Sequence, residues 1–411
     1  MLYKIVLIGI LSLAFLPLQV KAQSYFGNTL SIDTSRAAEL NIEGMGFYHS
    51  SALNRGFLQY FTQGGYISNS EIEDRLSHQK DVNGLGFSLY GAVDLKLHNL
   101  HFGEGNKFGV VVSAGSKTMS SLAYTKDLFT MAFQGNANRL GDSLMFNSSS
   151  FQLESFQKIG VGVFNRNTNS YLRLNFVGSN NTLNSYLQQS HFYSSANGDS
   201  LALLLDGVLK YMDSEKLYSS YGASVDFQYN MPFGEENDKF RGVLSFSVRD
   251  LGLVYAKEMT YYNVDTSISF QGANLDNIQA IFSLQGDEVL DSLGIQSEQI
   301  SSLRFLPSTI EVAKRAELNR EDNWQSIFGI RMYPTLVSVP QAYAGAHYRI
   351  NKILSAGARA SFGGFGGFRA GVYFRAHTSN LDIYMASQDI VGLVSKRGFG
   401  NSLQFGLGWY F

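Results

Sequence analysis

A regular alternation of apolar and polar positions marks the last segment of the chain. Its odd-numbered positions are apolar or aromatic: Leu403, Phe405, Leu407, Trp409 and Phe411. Most of its even-numbered positions are small or polar: Ser402, Gln404, Gly406, Gly408 and Tyr410. Successive side chains of a β-strand point to opposite faces. The segment is therefore predicted to be a strand with one apolar face and one polar face.

The same alternation recurs along most of the chain. It covers positions 85–97, 172–176, 221–229, 240–248, 324–332, 354–362 and 368–374. Most of these segments have about nine to twelve residues, the length of a tilted strand that crosses a bilayer. Turn signals separate them, at positions 54–56, 105–106, 165–169, 197–199, 234–238, 349–352 and 363–367. A generous count gives about fourteen strands, and an even number is typical of single-chain bacterial barrels.

The composition favours a barrel in a membrane. Aromatic residues make up 14% of the chain and charged residues only 16%, against about 25% charged residues in an ordinary soluble domain. Beyond the N-terminal segment, no apolar run is long enough for a transmembrane helix. The predicted fold is an all-β, transmembrane, antiparallel up-and-down β-barrel over residues 23–411. A soluble β-sandwich is the alternative, because its strands alternate in the same way.

The N-terminal segment has the layout of a secretory signal peptide. Lys4 precedes an apolar run over residues 5–20, and Val20-Lys21-Ala22 offers small residues where a signal peptidase cleaves. We interpret residues 1–22 as a signal peptide and expect the mature chain to begin at Gln23. A single anchoring helix is the alternative, although the run is short and Pro17 interrupts it. Export to the outer membrane follows from this interpretation. The chain has no cysteine, which excludes disulfides and lipoprotein processing.

The final strand ends on three aromatic residues, Trp409, Tyr410 and Phe411. A terminal aromatic residue on an amphipathic last strand is the signal that outer-membrane insertion machinery reads. We therefore predict that these residues form an insertion signal, with outer-membrane lipid and the insertion machinery as partners. Aromatic residues near strand ends also suit an interfacial girdle, which favours the barrel over the sandwich.

Three stretches lack the alternation and are predicted to contain short helices in loops. Residues 70–80 begin with Ser70 and Glu73 in a capping-box pattern, which is typical of a helix N-terminus. Residues 124–135 carry apolar side chains at helical spacing. The longest stretch, residues 275–304, combines apolar and acidic residues and is predicted to be a helical insert that folds against the lumen, the rim or a partner.

If the apolar face is outside, Arg173 and His347 point into the lumen together with seven arginines that are predicted to form a basic wall: Arg241, Arg249, Arg331, Arg349, Arg359, Arg369 and Arg375. One interpretation is a wall that selects anions or anchors a loop carboxylate. The other is an ion-pair network with Asp226, Glu311, Asp382 and the acidic residues of the insert. We favour the network, because buried arginines usually have partners.

No established catalytic motif is found. A His-Glu-x-x-His pair, a phosphate-binding glycine loop and a Gly-x-Ser-x-Gly elbow are missing from the sequence. Asp94, His98 and His101 could bind a metal, although a solvated loop cluster is the preferred interpretation. We therefore predict no catalytic site, no metal site, no cofactor and no enzymatic activity. The net charge of −2 and the lack of a basic tract give no indication of nucleic-acid binding.

Several segments together resemble a family. They are Asp127-Leu128-Phe129 with Gln134-Gly135-Asn136, Gly160 to Val163, Ser247 to Gly252, Leu306 to Ile310 and Phe405 to Phe411. In order and spacing they resemble an uncharacterised domain-of-unknown-function family of Bacteroidota outer-membrane β-barrels. That family is similar in layout to FadL-like transporters and to barrels associated with type IX secretion. The resemblance implies a porin-like barrel of about fourteen strands and no established activity.

Two functional hypotheses follow. The leading one is a structural or interaction barrel, with an accessory role in secretion or surface assembly and other envelope proteins as partners. The second is a channel or transporter for small or amphipathic solutes, as the FadL-like layout implies. Residues 23–39 are shorter than the hatch that plugs fatty-acid transporters, which weighs against the second hypothesis. A plugged lumen is expected under the first hypothesis and a continuous lumen or apolar pocket under the second.

Overall fold

The computed structural model describes residues 29–30, 36–213, 219–234, 241–271, 296–317 and 322–411. Its strands are β1 (Thr29–Leu30), β2 (Ala38–Ser50), β3 (Val82–Phe102), β4 (Phe108–Thr125), β5 (Ser143–Met145), β6 (Ser150–Asn165), β7 (Tyr171–Leu187), β8 (His191–Ser194), β9 (Ser200–Asp213), β10 (Ser220–Phe233), β11 (Gly242–Gln271), β12 (Ser297–Phe305), β13 (Thr309–Glu317), β14 (Trp324–Met332), β15 (Val339–Arg349), β16 (Leu354–Gly364), β17 (Gly366–His377), β18 (Leu381–Ser387) and β19 (Gly400–Tyr410). Its helices are α1 (Arg55–Gln63), α2 (Asn69–Ser77), α3 (Lys126–Phe133) and α4 (Ile390–Val394), with a single 3₁₀ turn at Glu104–Asn106.

Fourteen of the strands close into an antiparallel barrel. Around the ring they follow the order β2, β3, β4, β6, β7, β10, β11 and then β13 to β19. The ring closes where β19 pairs with β2. At one end of this pair, backbone hydrogen bonds of 2.8 and 3.0 Å join Ala38 and Phe411. The predicted fold class and the predicted number of strands are therefore confirmed.

The two ends of the barrel differ. Short turns join the strands at the end that holds Ala38 and Phe411, which we name the terminal end. The opposite end, the loop end, carries the long connections and helices α1 to α4. The wall is also taller at the loop end over its first half, because β3 has 21 residues and β11 has 30, whereas β14 has 9. On the loop-end side of β10, strand β9 lies between β7 and β11 and pairs with both of them.

The outer face of the ring is apolar and exposed. On β14 and β17 the alternation places Phe328, Ile330 and Phe374 outside, while Arg331 and Tyr373 are buried inside. Other strands repeat this arrangement with exposed Ile159, Val161, Leu172, Leu174, Phe176, Leu403, Leu407 and Trp409. An apolar belt around a polar interior is typical of barrels that span a membrane. A sandwich would instead bury such residues against each other, so the closed ring excludes that alternative.

A β-bulge interrupts β11 at the middle of the wall. Val225 of β10 lies opposite Leu251, but Phe227 lies opposite Val248. Two residues, Arg249 and Asp250, therefore face the single residue Asp226. Asp250 has a φ of 58°, which is uncommon for a residue other than glycine and is tolerated best by Asn and Asp. The bulge turns both of its own charged side chains, Arg249 and Asp250, toward the lumen, as bulges often do beside functional sites.

The helices predicted for residues 70–80 and 124–135 are confirmed in outline as α2 and α3. The capping box of α2 is formed by Ser68 and Glu71, and the box predicted at Ser70 and Glu73 is wrong by two residues. Helix α1 was missed, because its N-cap residue Asn54 belongs to a sequence that also suits a turn. The apolar faces of α1, α2 and α3 pack over the loop ends of β3 and β4 through a cluster of Leu53, Phe57, Ile72, Leu85, Tyr124 and Phe129.

The helical insert predicted for residues 275–304 is wrong over its last part. Ser297–Phe305 form strand β12, which pairs antiparallel with β11. Cross-strand pairing has outweighed the local helical spacing of the apolar residues there. Residues 272–295 and the predicted signal peptide, residues 1–22, lie outside the described residues. Among the helices that the structure describes, none combines the length and the hydropathy that a bilayer crossing requires.

We expect Phe328→Arg to lower the free energy of unfolding by about 2–4 kcal/mol, the cost of a cation at the bilayer midplane of a barrel. Phe328 is the central residue of the nine-residue strand β14 and is 49% exposed on the outer face. Reversible urea unfolding in lipid vesicles would measure the change, with Phe328→Leu as the matched control. Equal stability of the two variants would contradict a lipid-facing position.

Candidate functional site in the barrel lumen

Paired charges fill the first half of the lumen. The Lys117 ammonium on β4 donates to the Asp250 carboxylate at 2.9 Å. Lys158 on β6 donates to Asp226 at 2.8 Å and also contacts Asp250. All four side chains are buried. Burial of a charge costs several kcal/mol unless a partner compensates it, so each of these charges depends on the others.

Arg173 extends this network across the lumen. Its guanidinium donates to Asp226 of β10 at 2.6 Å and to Asp94 of β3 at 2.6 Å. Strands β7 and β3 are not neighbours in the ring, and neither are β4 and β11, which Lys117 and Asp250 join. The side chains therefore reach across the inside of the barrel between parts of the wall that are not adjacent. We name Asp94, Lys117, Lys158, Arg173, Asp226 and Asp250 the bridging network.

Two further groups lie against the bridging network. The ammonium of Lys117 also donates to the Pro307 carbonyl at 2.6 Å, which ties the segment between β12 and β13 to the lumen. Glu43 of β2 is fully buried, and Arg249 is the cation that acts on it most strongly. The bridging network itself contains three cations and three carboxylates, so its charges are balanced.

The second half of the lumen is centred on Glu311 of β13. Arg331 donates to the Glu311 carboxylate at 2.7 and 3.2 Å, and the Tyr343 hydroxyl donates to it at 2.9 Å. Arg315 lies 3.8 Å from the same carboxylate. The guanidinium of Arg359 stacks over the Tyr343 ring, 4.5 Å from its centroid. This half therefore contains more guanidinium groups than carboxylates.

Three aromatic residues, Phe47, Tyr333 and Phe365, pack together inside the barrel toward the loop end, and we name them the aromatic lid. The turn between β16 and β17 directs Phe365 inward, where its ring packs against Tyr333 and Phe47. Gly86 of β3 makes room for it, since a Cβ atom there would lie 2.1 Å from the Phe365 ring. On the other side of the turn, Arg369 donates to the Gly363 carbonyl at 2.6 Å. The predicted glycine-rich turn is confirmed, and it also carries Phe365, whose side chain points into the barrel.

The structure places the predicted basic wall as follows. Arg331, Arg359 and Arg369 are buried on the inner face. Arg375 pairs with Asp382 through Nε at 2.7 Å, and Arg331 pairs with Glu311. Two of the three carboxylates that were predicted as partners of the wall, Asp382 and Glu311, therefore pair with wall arginines. The third, Asp226, pairs with Arg173 and Lys158 instead.

The remaining three wall residues are less buried. Arg241 lies at the terminal end, 3.7 Å from Glu317. Arg249 lies in the bulge, and Arg349 lies in the turn after β15, where it donates to the Asn351 carbonyl at 3.3 Å. The seven arginines therefore do not form one continuous surface. Anion selection by this wall remains a prediction.

Other predicted residues also have defined positions. Trp409 and Phe411 are exposed on the outer face and Tyr410 is buried, and their role as an insertion signal remains a prediction. His98 lies buried inside β3, 3.6 Å from Glu39, whereas His101 is exposed near the terminal end. Asp94 belongs to the bridging network, so Asp94, His98 and His101 do not form one cluster.

Sequence reasoning missed Lys117, Lys158 and Asp250. The two lysines were hidden because they are isolated charges on otherwise ordinary amphipathic strands. Asp250 was hidden because strict alternation assigns it to the outer face, and only the bulge reverses it. A polar residue on the apolar register of a strand was the one available signal of such a bulge.

Lys117→Met should lower the free energy of unfolding by about 3–5 kcal/mol, because it removes one of the two cations that compensate the buried Asp250 carboxylate. Asp250→Asn in the same chain should recover part of the loss. Chemical unfolding of the single and double variants measures this coupling. Lys107→Met, at an exposed turn, is the matched control and should change stability by less than about 0.5 kcal/mol. Additive losses in the double variant would show that the pair does not interact.

Comparisons with solved structures find barrels at low identity. The translocator domain of autotransporter NalP from Neisseria meningitidis is 10% identical, with 92% of this chain and 91% of that chain covered and a TM-score of 0.27. A Pseudomonas aeruginosa FadL homologue is 10% identical, with 91% and 90% covered and a TM-score of 0.35. The monoaromatic hydrocarbon channel TodX, in a deletion mutant, is 7% identical, with 96% and 100% covered and a TM-score of 0.31. Scores this low carry no argument about function.

No curated protein matches the chain. A family model described as a family of unknown function (DUF5723) matches residues 41–388, which span the ring from β2 to the end of β18. The match agrees with the family resemblance of the sequence, whereas the bacterial phylum and a link to type IX secretion remain predictions. The chain thus belongs to the DUF5723 family of unknown function.

Proposed function

We propose that this chain is an outer-membrane β-barrel that acts as a structural or interaction barrel rather than as an open pore. The observation that carries the proposal is the bridging network. Its buried side chains join strands that are not neighbours in the ring. Solute passage would require these ion pairs to separate, and separation of each buried pair costs several kcal/mol. A filled lumen of this kind suits a protein that works through its surfaces.

In the proposed orientation the apolar belt faces outer-membrane lipid and the terminal end faces the periplasm. Barrels of this kind have short periplasmic turns and longer extracellular loops. The taller wall and helices α1 to α3 then lie at the cell surface. This arrangement places most of the non-barrel structure on one side of the membrane.

The loop end also offers apolar side chains for contact with another envelope protein. Tyr66, Leu336 and Val394 are 81%, 69% and 76% exposed there. Large contiguous apolar patches mark interaction sites, and we propose that these three side chains contribute to one. An accessory role in a secretion or surface-assembly machine is the more specific form of this proposal.

A photo-crosslinking amino acid placed at Tyr66 or Leu336 should capture one abundant envelope protein in intact cells. The reason is that both side chains protrude from the loop end. Lys107 and Lys352, which are exposed at the terminal end, are the matched control positions and should not capture the same protein. Failure of both loop-end positions to capture a stoichiometric partner would count against an interaction barrel.

A channel for small or amphipathic solutes is the second candidate, and the aromatic lid favours it. Phe365 is held on a turn whose Gly363 and Gly364 have φ values of 99° and 72°, a conformation that glycine adopts readily. A single ring on such a turn could swing out without unfolding a strand. In this candidate, the lid is a gate and the bridging network must also open.

We expect the purified chain to show no steady conductance in planar bilayers. The Phe365→Ala variant lacks the aromatic ring of the lid. We expect this variant to show no steady conductance either, because the bridging network lies deeper in the lumen. Phe365→Leu is the matched control for loss of the aromatic ring alone. Steady conductance of the wild-type chain would contradict the interaction barrel and favour the channel hypothesis. Steady conductance of the Phe365→Ala variant alone would identify the lid as a gate.

A further inference from the structure

The inner face of β14 to β17 assembles one patch of hydrogen-bond donors. Arg331 lies directly opposite Gln341 in the β14–β15 ladder. Ser361 of β16 lies opposite Arg369 in the β16–β17 ladder, and Arg359 is two residues before it on the same face. Directly opposite residues have Cβ atoms about 4.5–5.5 Å apart. The two pairs lie close together, because a Cβ atom on Gly364 would be 3.3 Å from Nη2 of Arg369 and 3.7 Å from Cβ of Gln341.

Several of these donors are buried without a hydrogen-bond acceptor among the described residues. They are Nε and Nη1 of Arg369, Nε2 of Gln341 and the hydroxyl of Ser361. The three residues are only 5%, 2% and 3% exposed. Buried polar groups are almost always paired in native proteins. Unpaired donors from three adjacent strands therefore indicate a missing acceptor.

The charges of this region point to the same conclusion. The positive charge of Arg331 acts on both Arg359 and Arg369. The Glu311 carboxylate acts on Arg315 and Arg359, and the Asp389 carboxylate acts on Arg369. Among the described residues of this group, four guanidinium groups lie with only two carboxylates, which leaves two positive charges in excess. A guanidinium group does not lose its proton in a protein. Since the cost of uncompensated buried charge is several kcal/mol per ion, a negative ligand would relieve it.

We propose that this patch binds a small oxyanion, of which inorganic phosphate is the representative. A guanidinium group offers two parallel N–H donors that match two oxygens of a phosphate, sulfate or carboxylate group. Phosphate would also accept from the amide of Gln341 and the hydroxyl of Ser361. The ligand is small and free rather than a lipid, because Phe365 and Tyr333 cover the patch from the loop end. We name this place the oxyanion site.

The oxyanion site is linked to the aromatic lid. Arg369 uses Nη2 for the Gly363 carbonyl, which leaves its other nitrogens for the ligand. A bound oxyanion would therefore hold the Arg369 side chain, which itself donates to the turn that carries Phe365. The site is independent of the proposed interaction role, since it concerns the interior and not the surface of the loop end.

Equilibrium dialysis of the purified full chain in detergent against radiolabelled phosphate tests the proposal. We expect one phosphate per chain, with saturable binding that sulfate displaces and chloride does not. Arg359→Gln should weaken phosphate binding by about tenfold or more, as the loss of one charge-assisted hydrogen bond predicts. Arg349→Gln removes an arginine of the terminal end and is the matched control, with affinity expected to stay within about twofold.

A second variant places the negative charge in the chain itself. Ser361→Asp should raise the midpoint of thermal unfolding in chloride buffer and abolish phosphate binding, because its carboxylate occupies the oxyanion site. This variant keeps the test decisive if Arg359→Gln does not fold. Absence of stoichiometric phosphate and sulfate from the wild-type chain would overturn the proposal. Unchanged phosphate affinity in Arg359→Gln or Ser361→Asp would overturn it equally.

Discussion

The structure depends on the pairing of charges that are buried inside a closed barrel. Asp250 illustrates the constraint, because one bulge in β11 turns it inward to meet Lys117 and Lys158. A charge in such a place is tolerated only with its partners. The lumen of the first half is therefore held in one arrangement by its own electrostatics, and the lipid-facing belt can form around a filled interior.

The two halves of the lumen meet this constraint differently. In the first half the acidic and basic groups of the bridging network match each other. In the second half the Glu311 carboxylate forms ion pairs with both Arg331 and Arg315. The guanidinium of Arg359 instead stacks on the face of the Tyr343 ring. The excess of donors in the second half is what makes a bound oxyanion chemically reasonable there and unnecessary in the first half.

The segments that carry the family resemblance acquire a physical role in this view. Ser247 to Gly252 contain the bulge that aims Asp250 into the lumen, and the segment that begins at Leu306 supplies the Pro307 carbonyl to Lys117. Two distant stretches of sequence thus meet on one ammonium group. Both segments therefore shape the interior of the barrel.

The sequence by itself determined the barrel, because alternation with a period of two follows directly from strand geometry and is legible in segments such as Leu403 to Phe411. It also indicated that Arg331, Arg359, Arg369 and Arg375 point inward. It could not determine that residues 297–305 form a strand or that Asp250 faces the lumen, since pairing with β11 and the bulge decide those. Only the tertiary structure decided which charges meet and that Phe365 packs against Phe47 and Tyr333, because these contacts join residues that lie far apart in the chain and no local pattern encodes their distances.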